Sequence, residues 1–202
     1  MTISLRYLAA SLVWLGSLQT AALAQQTESE TAPVFGKALE MPAQRALQRL
    51  REQPDTQLVP FTTDGCSGGL SDVWELVAGT FPDFEAIHEA HPPWESCCFV
   101  HDRAYHDAGP DTDAEASFDA RLAADRALRV CVVETGDRRA AAEAAHYDIS
   151  PLRVRQAYDT IAGAMFAAVR FGGVPCSTLS WRWGYGYPDC AWSTPSPDAR
   201  QD

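Results

Sequence analysis

Between Pro92-Pro93 and Gly109-Pro110 lies one stretch that narrows what this chain can become. Trp94, Cys97, Cys98, His101, Asp102 and Tyr105 recur at helical spacing, so all six share one face of a helix. Prolines suit the start of that helix, and Gly109-Pro110 must stop it. An ordinary core helix would carry Leu or Ile on this face. Here it carries two cysteines, a histidine, a carboxylate and a tyrosine. It is either a structural Cys-rich helix with an incidental His-Asp pair, or a built site.

Cys97-Cys98-Phe99-Val100-His101-Asp102, followed two residues later by Tyr105, resembles the active-site helix of the secreted, calcium-dependent phospholipase A2 family. That family's motif is Cys-Cys-x-x-His-Asp-x-Cys-Tyr, and Ala104 stands here where its later cysteine would be. Two shorter stretches share the resemblance, Asp64 to Gly69 and Asp125 to Cys131. Together they cover well under half of the chain and none of its C-terminal third. The resemblance implies an all-α fold in which a disulfide-linked antiparallel helix pair carries the active site. Additional short helices and an irregular C-terminal loop complete it. It also implies calcium-dependent hydrolysis of the sn-2 acyl ester of phosphatidylcholine-type lipids.

The first 24 residues read as an export signal. Arg6 is their one charged residue, an apolar run spans Tyr7 to Leu18, and Ala22-Leu23-Ala24 has the small-x-small form of a cleavage site. The run is too short for a comfortable membrane span, and no cysteine follows closely enough to anchor a lipid. Cleavage after Ala24 leaves enough chain for one domain with a real core. Export to an oxidising compartment makes the six cysteines, an even number, readable as disulfides in several possible pairings. Zinc is the alternative use of Cys and His, but no Cys-x-x-Cys occurs and the adjacent Cys97 and Cys98 point in different directions.

Gln25 to Thr31 is polar, and residues 25–36 are expected to lack structure, residues 37–195 to form the domain, and 196–202 to be a loose tail. Met41 to Arg51 reads as a short amphipathic helix ended by Gln53-Pro54-Asp55. Asp64-Gly65-Cys66-Ser67-Gly68-Gly69 is a tight loop whose glycines permit positive φ. Ser71 to His91 is apolar enough for one or two short helices over the site; His88 and His91 within it are expected at the surface. A second long helix is expected over 112–135, opened by a Thr112/Glu115 capping box and closed by Gly136, with 137–147 as a further helix. Ser150-Pro151 opens another, with Val154, Tyr158, Ile161, Met165, Phe166 and Val169 as an apolar stripe interrupted by Asp159 and Arg170. Gly172-Gly173 ends it. In the tail, Trp181, Trp183, Tyr185 and Tyr187 alternate, one aromatic face if extended, for the core or for lipid.

The resemblance assigns partners. It implies Cys66–Cys98 and Cys97–Cys131 disulfides; Cys176 and Cys190 remain as the third pair. Cys66 then holds the glycine loop near Asp102, so that carbonyls of Gly65, Ser67 and Gly69 with the Asp102 carboxylate form an oxygen cage for Ca²⁺. Ser67 and Leu70 stand where the family commonly has glycine. With Cys97 tied to Cys131 and the helices antiparallel, His101 lies about 6 Å beyond one cysteine and Asp125 about 9 Å before the other. Asp125 thus arrives beside His101 and Tyr105, whereas Asp119, about 18 Å from Cys131, is out of reach.

Ester hydrolysis needs an activated water, a stabilised carbonyl oxygen and a base held in one tautomer. His101 can be the base, Asp125 its orienting partner, and Tyr105 the residue that fixes Asp125. No Gly-x-Ser-x-Gly elbow is present, so no serine nucleophile is invoked. The competing readings are a non-catalytic lipid- or protein-binding module on the same scaffold and a zinc hydrolase. The net charge of −11 excludes general attraction to nucleic acid or to anionic bilayers.

Overall fold

The computed structural model describes residues 36–66 and 70–190. The signal segment 1–24, most of the stretch 25–36, Ser67 to Gly69 and the tail from residue 191 lie outside the described residues. The chain divides into two compact units, Met1–Glu40 and Met41–Asp202. In the first, described residues 36–40 are helical; the architecture below is that of the second.

In the second unit, helix α1 covers residues 41–51, as its Leu47/Leu50 pattern suggests. Next come α2 (Leu70–Thr80), α3 (Pro82–His88), α4 (Glu95–Asp107), α5 (Ala114–Tyr147) and α6 (Pro151–Gly172). The described fold is all-α. No helix among these residues is long and apolar enough to cross a membrane.

The centre is the α4–α5 pair. Cys97 bonds Cys131, His101 meets Asp125, and Tyr105 meets Arg121. As α4 advances, α5 recedes, so the two run antiparallel. Cys66 bonds Cys98 and Cys176 bonds Cys190. Closing a loop such as Cys97–Cys131, with a sequence separation of 34, removes unfolded-state freedom equivalent to about 3–4 kcal/mol.

Two elements differ from expectation. Helix α5 does not stop at Gly136 but runs 34 residues, absorbing 137–147. Its N-cap is Asp113, whose carboxylate accepts from the amides of Glu115 and Ala116, rather than a Thr112 capping box. Gly136 is a packing residue. A Cβ there would meet Tyr158 Cβ and Cγ at 2.4 Å, so the missing side chain lets α6 lie against α5. The insertion Ser71 to His91 forms two helices, as expected. Trp74 packs edge-on against Trp94 at the start of α4.

The tail is also not extended; residues 180–187 are turns and bends. Trp183 is core, 1% exposed, with its indole N–H donating to Ser117 Oγ, which donates in turn to Gln44 Oε1. What alternates usefully is glycine. Gly184 N and Gly186 N donate to the carbonyls of Tyr105 and His106, answering acceptors that the end of α4 leaves open. A Cβ on Gly186 would meet His106 Nε2 at 2.5 Å.

The apolar core is in two parts. One gathers Trp94, Cys97, Leu128, Val132 and Tyr158; the other gathers Leu47, Tyr105, Ala108 and Trp183. On α4 and α5 the polar residues His101, Asp102, Arg121 and Asp125 fall between them.

Gly136→Ala tests the α5–α6 crossing. Helix propensity alone favours alanine by about 1 kcal/mol. Overpacking against the root of a ring costs typically about 1–3 kcal/mol. The variant is therefore expected to melt lower; a higher melting temperature would show that the helices do not approach as described.

Candidate functional site

Helix α4 presents its predicted face inward: Trp94, Cys97, Cys98, His101, Asp102 and Tyr105 are all buried. Their spacing does this, because the opposite face, with Phe99 and Val100, remains exposed. Asp125, fully buried on α5, is the hub. Its Oδ1 lies 3.0 Å from His101 Nε2 and accepts from Tyr105 Oη at 2.6 Å. Its Oδ2 accepts from Arg170 Nη1 at 2.9 Å.

A buried carboxylate must be partnered to stay charged. Burial pushes the Asp125 pKa up, but the His101 bond, the Arg121 charge and the Tyr105 and Arg170 bonds outweigh it and hold it below 3.8. A carboxylate that only accepts assigns the proton on His101 to Nε2, leaving Nδ1 as the free base. Burial likewise opposes the charged imidazolium, yet the Asp102 and Asp125 carboxylates raise the His101 pKa overall. Burial drives the Tyr105 hydroxyl well above its ordinary value, so it stays a donor.

His101 Nδ1 faces Asp102, 3.8 Å from Oδ1, too long for a hydrogen bond. Asp102 Oδ2 accepts from Thr63 Oγ1 at 2.5 Å. The Asp102 carboxylate lines a cleft of about 200 Å³ with Thr62, Thr63, Asp64, Ser180, Trp181 and Tyr185. The residues 56–63 form a strap along this edge. Val59 N donates to Gly186 O, His106 Nε2 pairs with Val59 O, and Tyr185 Oη donates to Thr62 O.

Of the expected site residues, His101, Asp102, Tyr105 and Asp125 are brought together. Gly65 takes a positive φ of 77°, and a Cβ there would meet Glu95 Oε1 and Ser71 Oγ at 2.8 Å. Ser67 and Gly69 lie outside the described residues. The Cys66–Cys98 bond ties the loop one turn of α4 before Asp102. The donors named at the cleft are oxygens, the set a hard cation such as calcium takes. Among the described residues, no group of three or more His, Cys, Asp or Glu side chains is placed to hold a metal. His91 is exposed beside Glu75 and Glu95, but His88 is not a surface histidine. Its ring is mostly buried, stacked on Tyr147.

Four participants went unread in the sequence. Arg121, 0% exposed, donates through Nε to Tyr105 Oη and through Nη2 to the carbonyls of Val169 and Arg170. Its signal was its position one turn before Asp125, on the same face. Arg170 was visible only as a break in the α6 stripe. Thr63 and His106 had no local signal, since their partners come from remote segments. No protein-family model, curated protein or solved structure matches the chain.

Replacing Asp125 by Asn should cost about 3 kcal/mol or more at neutral pH, because two arginines lose their buried counter-charge. The folded pKa is lowered, so this contribution is present above 3.8 and disappears as pH falls through the folded value. The stability gap between wild type and Asp125→Asn is expected to narrow below pH 3.8 in denaturant titrations; a gap that widens there would contradict a charged Asp125.

Proposed function

We propose that the chain is a calcium-dependent, phospholipase A2-like ester hydrolase acting on the sn-2 acyl bond of phosphatidylcholine-type glycerophospholipids. The carrying observation is the His101 Nε2–Asp125 Oδ1 contact braced by Tyr105, with Nδ1 left facing Asp102. Water beside Nδ1 loses its proton to that nitrogen as its oxygen attacks the ester carbonyl. Asp125 stabilises the imidazolium and keeps the ring in register. Tyr105, Arg121 and Arg170 keep Asp125 charged and oriented. The same proton then passes to the departing glycerol oxygen.

Calcium bound by Asp102 and carbonyls of Gly65, Ser67 and Gly69 would polarise the ester carbonyl and offset the phosphate charge. The side-chain oxygens of Thr62, Thr63, Asp64 and Asp102 along the cleft and the Cys66 tether support this choice over zinc. Three disulfides support export to an oxidising compartment.

Contact with a lipid aggregate does not fall to Trp183, which is core. Trp181 lies against Gly172 and lines the cleft, and neighbouring Phe171 and Leu179 are 91% and 39% exposed. These apolar groups suit an interface that an acidic protein cannot reach by charge.

Phospholipid hydrolysis, with products identified by mass spectrometry, is expected to vanish on calcium chelation and in Asp102→Asn. In His101→Gln the rate should fall about 10²–10⁴-fold with the fold retained. Wild-type rates in both variants would sink the hydrolase reading. Phe171→Ala with Leu179→Ser should slow hydrolysis of vesicles more than of a soluble short-chain ester. Trp183→Ala should instead lower melting temperature and both rates together.

A further inference from the structure

The far end of the helical assembly holds a second cavity that the proposed chemistry does not use. Along α5, Glu143 lies about 27 Å beyond Asp125 at the helical rise. A cavity of about 240 Å³ opens there, lined by rings from five different helices or helix ends. They form a chain of contacts. Tyr158 meets Trp94 at 5.7 Å between centroids, Trp94 meets Trp74 at 5.3 Å, Trp74 meets His88 at 5.7 Å, and His88 meets Tyr147 at 5.7 Å. Val154 and Ile161 add an aliphatic wall.

One buried carboxylate serves this horseshoe of rings. Glu143 Oε1 accepts from Arg139 Nε at 2.6 Å and from Tyr158 Oη at 2.8 Å, and lies 3.9 Å from His88 Nδ1. Arg139 is shared, pairing also with Glu89 at 3.1 Å, so two carboxylates answer to one guanidinium. Burial lowers the His88 pKa, so that ring adds no competing cation at neutral pH. Among the described residues, the buried indole N–H of Trp94 has no acceptor.

We propose that this cavity binds a quaternary ammonium head group of the phosphocholine type, with the rings and Glu143 taking the cation and Arg153 at the rim taking the phosphate. Aromatic faces attract a cation by their quadrupole, most strongly where water is excluded. An alkylated ammonium needs no hydrogen-bond acceptor, and Glu143 Oε1 already has two donors. A bare anion would face the Glu143 carboxylate. The cavity is smaller than the roughly 300–1,000 Å³ of sites for drug-sized ligands, which suits a head group alone. The same head group is available as a soluble phosphocholine or on the surface of a choline lipid. The site does not depend on the hydrolase reading, because neither His101 nor Asp102 takes part.

The test is tryptophan fluorescence and calorimetric titration of the full exported chain with phosphocholine, choline, inorganic phosphate and 3,3-dimethylbutanol, the uncharged isostere of choline. Phosphocholine should saturate, bind more tightly than choline, and outcompete both phosphate and the isostere. Tyr147→Leu alters a ring that is 44% exposed and should weaken phosphocholine binding by about tenfold with melting temperature unchanged. Arg153→Gln, also at an exposed position, should remove the advantage of phosphocholine over choline and leave choline binding intact. Neither variant should alter hydrolysis of a soluble ester, so loss of this site and loss of the hydrolase activity are distinguishable. Phosphatidylcholine vesicles that bind, and that soluble phosphocholine displaces, identify the lipid as source; soluble binding without vesicle binding identifies the free compound. No saturable binding of phosphocholine at millimolar concentration, or equal binding of the uncharged isostere, overturns the proposal.

Discussion

A charged carboxylate with no exposure to water is the constraint that the described structure answers most elaborately. Asp125 stays ionised because its two oxygens receive His101, Tyr105 and Arg170. Arg121, fully buried one turn earlier on α5, adds its charge and braces Tyr105 and the last carbonyls of α6. Removing any one of these groups leaves the others incompletely paired in a medium where unpaired charge is costly. The three long helices α4, α5 and α6 are thus held together by a polar centre as well as by apolar cores on either side of it.

That centre requires close approaches that only small residues or covalent bonds allow. Gly136 lets Tyr158 lie on α5, and Gly173 leaves room for the Tyr105 ring, which a Cβ would meet at 2.6 Å. Cys97–Cys131 sets α4 against α5 one turn away from His101. Cys66–Cys98 brings Gly65 and Cys66 to the neighbouring flank of α4, on the side of Asp102. The His101 ring therefore stands between two carboxylates, one deep and one at the cleft, and its two nitrogens are made chemically different by them.

The C-terminal turns close the cleft by docking backbone rather than by presenting a flat aromatic face. Gly184 and Gly186 come near enough to α4 to donate to its terminal carbonyls. Trp183 is thereby carried into the core, while Trp181 and Tyr185 are left at the cleft beside Asp102. The 56–63 strap is fixed by the same turns, through Gly186 and Tyr185.

The amino-acid sequence by itself determined the helices with strong period, above all the buried face of α4, because burial follows the three- and four-residue recurrence of side chains. It determined the pairing of Asp125 with His101 once the cysteine bonds implied by the family resemblance were adopted, because helical rise then sets which residues come level. Tertiary structure decided the rest. A glycine such as Gly136 reads locally as a stop, and only a ring from another helix turns it into a contact point. Arg121 and Arg170 carry no local mark of their role, which comes from a carboxylate and carbonyls on other turns. Thr63 and His106 acquired their roles from partners 39 and 47 residues away, a distance over which local periodicity carries no information.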